Sequence, residues 1–548
     1  MSRRFVFVPV RRAILPSDSP YAQLTRRLVH LSGTQAECFQ AAYTSLQDFP
    51  PSTTVWITES KQVNAIPVSK AHTLLGQEFA AIVFDAFSGF APNAFAAIGG
   101  TVRGGGLLIL LTPSLSDWPY YPDPDSKRFL PYPFRAEQVH SRFLKRLVNF
   151  LERGLQAVNS DFHPTRVTQV QVLAQMVQAL ARAQCVIVLT ADRGRGKSAS
   201  LGLLADQLKQ AGKSVLLTAP ARATVSSVFK HSQLSPVFIA PDALLERLPQ
   251  ADVLLVDEAA AIPLPLLLKM AAHYPRCVFS TTTQGYEGSG RGFVLRFQKQ
   301  LAELVPLILP LQLVKPMRWA EHDPLEAWLN EALLLNVNLS EAAQGFAKPS
   351  YLCVNRDELV EQEALLRQIF ALLINAHYQT RPSDLRQLLD APNISIHALM
   401  QNQDVVAVAL LSREGSLEAD LTEQIYLGKR RPHGHLIPQT LTFHAGLAGA
   451  ACLSCERVMR IAVHPSLQRL GLGAQLLIAV EAYALKRETD YLGVSYALTP
   501  PIQAFWERAG FITARQGYRR DTASGAVSLV QIKALSAAGR ALQAQLGH

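Results

Sequence analysis

The sequence predicts an α/β protein of several domains, each built on its own sheet, and three observations predict it. Short apolar runs bounded by turn residues recur through the first two thirds of the chain, the signature of strands buried on both faces. Amphipathic helix-length segments separate them, so those strands should run parallel. Past about residue 335 the pattern changes to two alternating strands around an Asn402-Gln403-Asp404 turn, a hairpin signal. At 548 residues the chain is also too long for one core.

Residues 1–155 read as an N-terminal α/β domain. Its strands are expected at "TTVWITE" (53–59), "FAAIVFDA" (79–86) and "GGLLILLTP" (105–113), and no phosphate loop follows any of them. The Pro/Asp-rich patch 117–135 reads as loop. Residues 156–335 open with an amphipathic helix in 163–184 and continue through "CVIVLT", "SVLLTAP", "PVFIAP", "DVLLVDE" and "CVFSTTT". Strands alternating with helices in this way give a RecA-like, doubly wound parallel sheet. Residues 336–534 read as a mixed α/β domain: helix, hairpin (394–415), then strand and helix alternating to a last strand "AVSLVQIK", with 535–548 a short tail.

Composition narrows the class. No uncharged apolar stretch reaches the ~18 residues of a membrane helix. The opening "MSRRFVFVPVRR" has too short an apolar run for a signal peptide. Six scattered cysteines, with Cys452 and Cys455 a lone C-x-x-C, suit a reduced, cytoplasmic protein rather than a disulfide scaffold. The formal charge of +10 suits a polyanionic partner, and equally a mildly basic enzyme.

Two loops carry chemistry. "CVIVLT-ADRGRGKS-ASLGLL" is strand, Gly-rich loop, helix. Gly196-Lys197-Ser198 fits the end of G-x-x-x-x-G-K-[ST], with Ala191 standing where the first glycine is usual. Gly194 and Gly196 permit positive φ, so backbone N–H groups can turn onto phosphates. Lys197 would reach the β/γ-phosphates and Ser198 would ligate Mg²⁺, while Arg193 and Arg195 add charge. "DVLLVDE" supplies Asp257 for the metal and Glu258 to orient water. Gln171 is placed as an adenine-reading glutamine, 280–293 ("STTTQGYEGSGRGF") as a γ-phosphate sensor and Arg318 as an arginine finger. These features predict an NTPase.

The second loop, "RIAVHPSLQRLGLGAQLL", is again strand, loop, helix. Gln468-Arg469-Leu470-Gly471-Leu472-Gly473 fits the Q/R-x-x-G-x-G/A loop of the GNAT acetyltransferase fold, whose glycines let backbone N–H groups approach the pyrophosphate of coenzyme A. Ile461, Ala462 and Val463 would flank the pantetheine arm, with the Val463 backbone as oxyanion contact and His464 as candidate base. "IQAFWERAGF" (502–511) matches the end of that fold, with Phe505 and Trp506 expected in the core. Lys429-Arg430-Arg431 and Arg519-Arg520 are candidate RNA contacts.

Together "TADRGRGKS", "VDEAAAIPLP", "GYEGSGRGF", "RIAVHPSLQRLGLG" and "FWERAGF" resemble the tRNA(Met) cytidine acetyltransferases, and the resemblance covers nearly the whole chain. It implies acetyl transfer from acetyl-CoA to the wobble cytidine of elongator tRNA(Met), with ATP or GTP hydrolysis; a monomer is the expected state. It implies nucleotide contacts at Gln171, Thr190, Ala191, Asp192, Arg193, Gly194, Arg195, Gly196, Lys197, Ser198, Ala199 and Arg318. Acetyl-CoA contacts fall on Ile461, Ala462, Val463, Gln468, Arg469, Leu470, Gly471, Leu472, Gly473, Ala474 and Arg508. Seven residues before that arginine, where the family often has glutamate, this chain has Pro501. Two other readings stay open on the residues: a protein N-acetyltransferase with an accessory ATPase, opposed by the basic charge, and an RNA-remodelling ATPase with an acyl-CoA-sensing domain, opposed by the intact Gly471 and Gly473.

Overall fold

Three sheets organise the residues described by the structure, a computed structural model covering 24–154, 168–282, 291–339, 348–376, 381–520 and 527–547. The first has β1 (Arg27–Ser32), β2 (Thr54–Ile57), β3 (Ala65–Ile66), β4 (Phe79–Asp85) and β5 (Val102–Thr112), all parallel, in the order β1-β5-β4-β2-β3. The second has β6 (Cys185–Ala191), β7 (Val215–Thr218), β8 (Val237–Phe238), β9 (Val253–Val256), β10 (Arg276–Thr282) and β11 (Ile308–Leu313), also parallel, in the order β11-β6-β10-β9-β7-β8. The unbroken apolar run of β6 follows from its position. Cys185, Ile187 and Leu189 enter the core on one face, and Val186 and Val188 the core on the other.

The third sheet is mixed. It comprises β12 (Ser350–Val354), β13 (Ile394–Gln401), β14 (Asp404–Gly415), β15 (Ser454–Val463), β16 (Tyr491–Ala497), β17 (Ile512–Arg520) and β18 (Val527–Ala534), in the order β12-β13-β14-β15-β16-β18-β17. Only β15 and β16 pair in parallel; the other pairs are antiparallel. Residues after 534 form a helix, Ala537–Ala544, capped by Ser536 and anchored by buried Leu542.

Contacts divide the chain into two compact units, and the division differs from the expected domain boundaries. The first two sheets share one unit. Ser116–Asn149, read in sequence as part of the first domain, belongs to the unit of the mixed sheet. A buried charge cluster holds it there: Arg386 pairs with Asp123 at 3.1 Å and Asp125 at 3.2 Å, and Asp390 accepts from the Phe143 N–H at 2.9 Å. A guanidinium 1% exposed must be paired, and the segment supplies two of its carboxylates.

Candidate functional site

The phosphate loop lies where β6 ends and the helix Lys197–Gln210 begins. Gly196 caps that helix at φ 82° and Gly194 sits at φ 77°. Gly194 is required twice over, because a Cβ there would lie 2.5 Å from Cη2 of Trp319. The loop is therefore covered by an indole. Trp319 itself is stacked under the Arg26 guanidinium at 3.5 Å, and Arg26 is locked by Asp323 at 2.9 Å and by the Gly99 carbonyl at 2.6 Å. The Met317 N–H donates to the Gly194 carbonyl at 2.8 Å, so the 317–319 segment runs along the loop.

Lys197 is 7% exposed and points at the end of β9. Its Nζ lies 2.7 Å from Glu258 Oε1 and 3.6 Å from Asp257 Oδ1. Ser280 of β10 donates to Asp257 Oδ1 at 2.8 Å, while Asp257 Oδ2 is buried with no hydrogen-bond partner among the described residues. An orphaned, fully buried carboxylate oxygen is costly unless a cation completes it. With Ser198 in the first helical turn, the donor set fits a hard divalent ion such as Mg²⁺. Glu258 adopts φ 49°, ψ 46°, an uncommon conformation for a glutamate and one that clusters at functional sites.

Other expected nucleotide residues are placed differently. The Gln171 amide oxygen accepts from the Thr168 N–H at 2.8 Å and its hydroxyl at 3.1 Å, a capping box on the helix Gln169–Leu180. The glutamine that meets the loop is Gln169, whose Nε2 donates to the Gly196 carbonyl at 3.0 Å and Ser200 Oγ at 2.9 Å. The T-x-x-Q spacing marks the cap and hides the buried neighbour. Arg195 adds no free charge: it pairs with Glu326 at 2.8 Å. Arg193 packs against Gly100, where a Cβ would come within 2.7 Å of its Cδ. Arg318 pairs with Glu78 at 3.1 Å; burial pulls its guanidinium below the ordinary value, and Arg193 and Arg26 pull the same way against Glu78. Of the expected sensor, Thr282 reaches Glu258 Oε2 at 3.4 Å, and 283–290 lie outside the described residues.

The second loop follows a gap in the mixed sheet. β15 and β16 pair only from Cys455–Val458 against Tyr491–Val494. Beyond that point the two strands part, with Met459 an extra residue on β15 against Leu410 and Leu411 of β14. The His464 N–H donates to Val406 O on the β14 side at 2.9 Å. Strand alternation therefore aims the Val463 N–H toward the gap. Gln468 Nε2 reaches the Val463 carbonyl at 3.3 Å, drawing the loop to the same edge. Gln468, Arg469, Leu470 and Gly471 are all exposed, and Arg469 and Gly471 take φ 65° and 82°. Leu472, Gly473 and Ala474 begin the helix Leu472–Lys486, so its N-terminal N–H groups open onto the gap's end. Ala462 is buried; Ile461 and Val463 pack on the core with Phe505.

Arg508 ends the helix Pro500–Arg508 exposed, with Nε on its own helix's Ala504 carbonyl, and Pro501 lies in the first turn. Trp506 is 3% exposed, between Phe505 and Phe511. His464, the expected base, is 7% exposed with Nδ1 2.8 Å from Ser466 Oγ. His464 helps line a cavity of about 170 Å³ with Arg367, Gln368, Asp404 and Val405. Lys429, Arg430 and Arg431 are exposed. Arg519 and Arg520 close β17, and their side chains lie outside what is described.

One chain thus holds a phosphate loop on a parallel sheet and a parted mixed sheet with a second phosphate-type loop. That combination defines a nucleotide-dependent acetyltransferase of the GNAT class. Comparison with known proteins agrees. Residues 20–159 match the family model described as tRNA(Met) cytidine acetyltransferase TmcA, N-terminal. Residues 188–336 match RNA cytidine acetyltransferase NAT10/TcmA, helicase domain, and 368–488 match GNAT acetyltransferase 2. The tRNA(Met) cytidine acetyltransferase TmcA of Nitrosococcus halophilus is 41% identical over 94% of this chain and 76% of its own length. Those of Citrobacter koseri (36%, over 95% and 78%) and Haloferax volcanii (35%, over 94% and 78%) are similar throughout. The chain belongs to the tRNA(Met) cytidine acetyltransferase TmcA family.

Proposed function

We propose that this chain transfers the acetyl group of acetyl-CoA to N4 of the wobble cytidine of elongator tRNA(Met), driven by hydrolysis of ATP or GTP. The observation that carries the reading is the pairing, in one chain of this family, of the Lys197–Asp257–Glu258 cluster with the parted β15/β16 edge. The exocyclic amine of cytidine is a poor nucleophile, because its lone pair is conjugated into the ring. The base must be taken out of its stack and held against the thioester. Nucleotide hydrolysis supplies that remodelling.

In the transfer step the N4 lone pair attacks the thioester carbonyl. The C–N bond forms, the C–S bond breaks, N4 gives up a proton and the thiolate of coenzyme A takes one. The Val463 N–H stabilises the oxyanion. At the other site Lys197 neutralises phosphate charge, Glu258 orients water, and Ser198 with Asp257 would hold Mg²⁺, which supplies charge neutralisation on the phosphates. The enzyme acts as a monomer in the cytoplasm, a setting that suits six free cysteines. No helix among the described residues is long and apolar enough to cross a membrane.

The test incubates the protein with labelled acetyl-CoA, Mg²⁺, ATP or GTP, and elongator tRNA(Met) transcript, its wobble C→U variant, or a protein extract. Label on the first RNA alone is expected. Label on protein, or on the wobble variant, would overturn the assignment.

A further inference from the structure

Phe443 is half exposed. It sits in a single π-helical turn, Thr440–His444, that continues the short helix Leu436–Gln439. Such turns are rare and recur at functional sites. Ile437, Leu441 and Thr442 of the same segment are wholly buried, so the turn is anchored while its tip is not. The ring packs behind on Gly428, where a Cβ would come within 2.9 Å of Phe443 Cε2. It also meets the His444 ring at 4.8 Å and 68°.

Cations flank it. Lys429, Arg430 and Arg431 follow Gly428 and are exposed. Arg515 lies on β17, which packs beside the Thr440–His444 turn; burial first, then the charges of Arg515 and Arg431, hold the His444 imidazole below its ordinary value. The loop carrying the cations is fixed: His433 bonds the Leu130 carbonyl at 2.8 Å and His435 the Tyr132 carbonyl at 2.9 Å. The Lys429 and Arg430 N–H groups both donate to the Gln424 carbonyl, at 2.8 and 3.3 Å.

We propose that Phe443, flanked by Lys429, Arg430 and Arg431 and by the strand that carries Arg515, is a stacking platform for an unpaired base of the bound RNA. The proposal rests on the RNA-modifying reading above and adds to it a specific contact. A rigid aromatic face with cations around it matches single-stranded nucleic acid, whose bases stack while phosphates meet the charges. A paired helix keeps its bases stacked on one another and offers such a ring nothing.

The test measures binding by fluorescence anisotropy for a hairpin with an unpaired loop and a blunt duplex with equal phosphates. Phe443→Ala should weaken hairpin binding about tenfold and leave duplex binding unchanged. Phe443→Trp should restore the hairpin. Arg431→Gln with Arg515→Gln should weaken both RNAs and flatten their salt dependence. Hairpin binding by Phe443→Ala equal to wild type, at an unchanged melting temperature, overturns the platform and leaves the surface to a protein partner. So does equal weakening of both RNAs that Phe443→Trp does not rescue. Failure of the functional reading shows elsewhere, as wild-type protein that acetylates no tRNA.

Discussion

Lys197, the ammonium that must grip phosphate, lies 2.7 Å from Glu258, so carboxylate and phosphate compete for it. Glu258→Gln tests this directly. The change keeps the side chain's shape and removes its charge, so Lys197 loses its strongest local partner and is freer to meet phosphate. A hydrogen bond to a charged group contributes roughly 1.5–3 kcal/mol. Asp257 stays 3.6 Å from the same ammonium, which puts the gain at the low end of that range. At about 1.4 kcal/mol per factor of ten, the variant should bind ATP about tenfold more tightly. Hydrolysis should fall by roughly 10²-fold or more, because the residue that orients water is neutral. Calorimetric titration with a non-hydrolysable ATP analogue and Mg²⁺, beside phosphate release on the same preparation, reads both effects. Affinity equal to or below wild type, in a protein that melts normally, would refute the competition. Normal hydrolysis would refute the role of Glu258.

Other outcomes follow from the same geometry. Lys197→Ala should abolish nucleotide hydrolysis and RNA acetylation while acetyl-CoA titrates normally; full acetylation would break the coupling. Gly473→Ala should leave the fold intact, since its Cβ meets Phe505 only at 3.4 Å and Val463 at 3.6 Å, and should gain about 0.5–1 kcal/mol of helix propensity. It should nonetheless bind acetyl-CoA weakly, and normal affinity in calorimetry would move the donor elsewhere. His464→Ala, given the ring's bond to Ser466, should cost less than tenfold in acetyl transfer and keep the pH–rate profile; loss of the rise with pH would make it the base. Burial pushes the Glu456 carboxyl up to about 7, with Arg487 and Arg413 pulling it back. The folded protein therefore holds a proton that the unfolded chain releases from about pH 4.5 upward, and stability falls as pH rises through that window by up to about 3 kcal/mol. Glu456→Gln should raise the melting temperature at pH 8 and not at pH 4; equal shifts at both would contradict the assignment.

Central strands and both glycine loops were legible in the sequence, because their signals are local. β6 and β9 are short runs buried on both faces, and each loop stands between a strand and a helix. Most edge strands were not legible, although β8, at the rim of the second sheet, was read from "PVFIAP". β11 carries Pro310, tolerable only because it lies at the sheet's rim, and β1, β12 and β17 are also edge strands with polar residues among their apolar ones. The sites were legible as motifs and not as partnerships. Nothing near Arg195 in sequence announces Glu326, and nothing near Gln171 announces that its neighbour Gln169 reaches Gly196. Likewise Asp123 and Asp125 look like loop residues until Arg386, far along the chain, requires them.

The indole over Gly194 carries a consequence for how this protein can be dismantled. Arg26 leads into β1, the outermost strand of the first sheet, yet it fixes the tryptophan that roofs the phosphate loop. The N-terminal sheet is thus a structural component of the motor and not a detachable appendage. A fragment cut to begin at the second sheet would keep every residue of the glycine loop and lose the strut that shapes it. Grafting this nucleotide-binding unit onto another protein would have to carry the first sheet along.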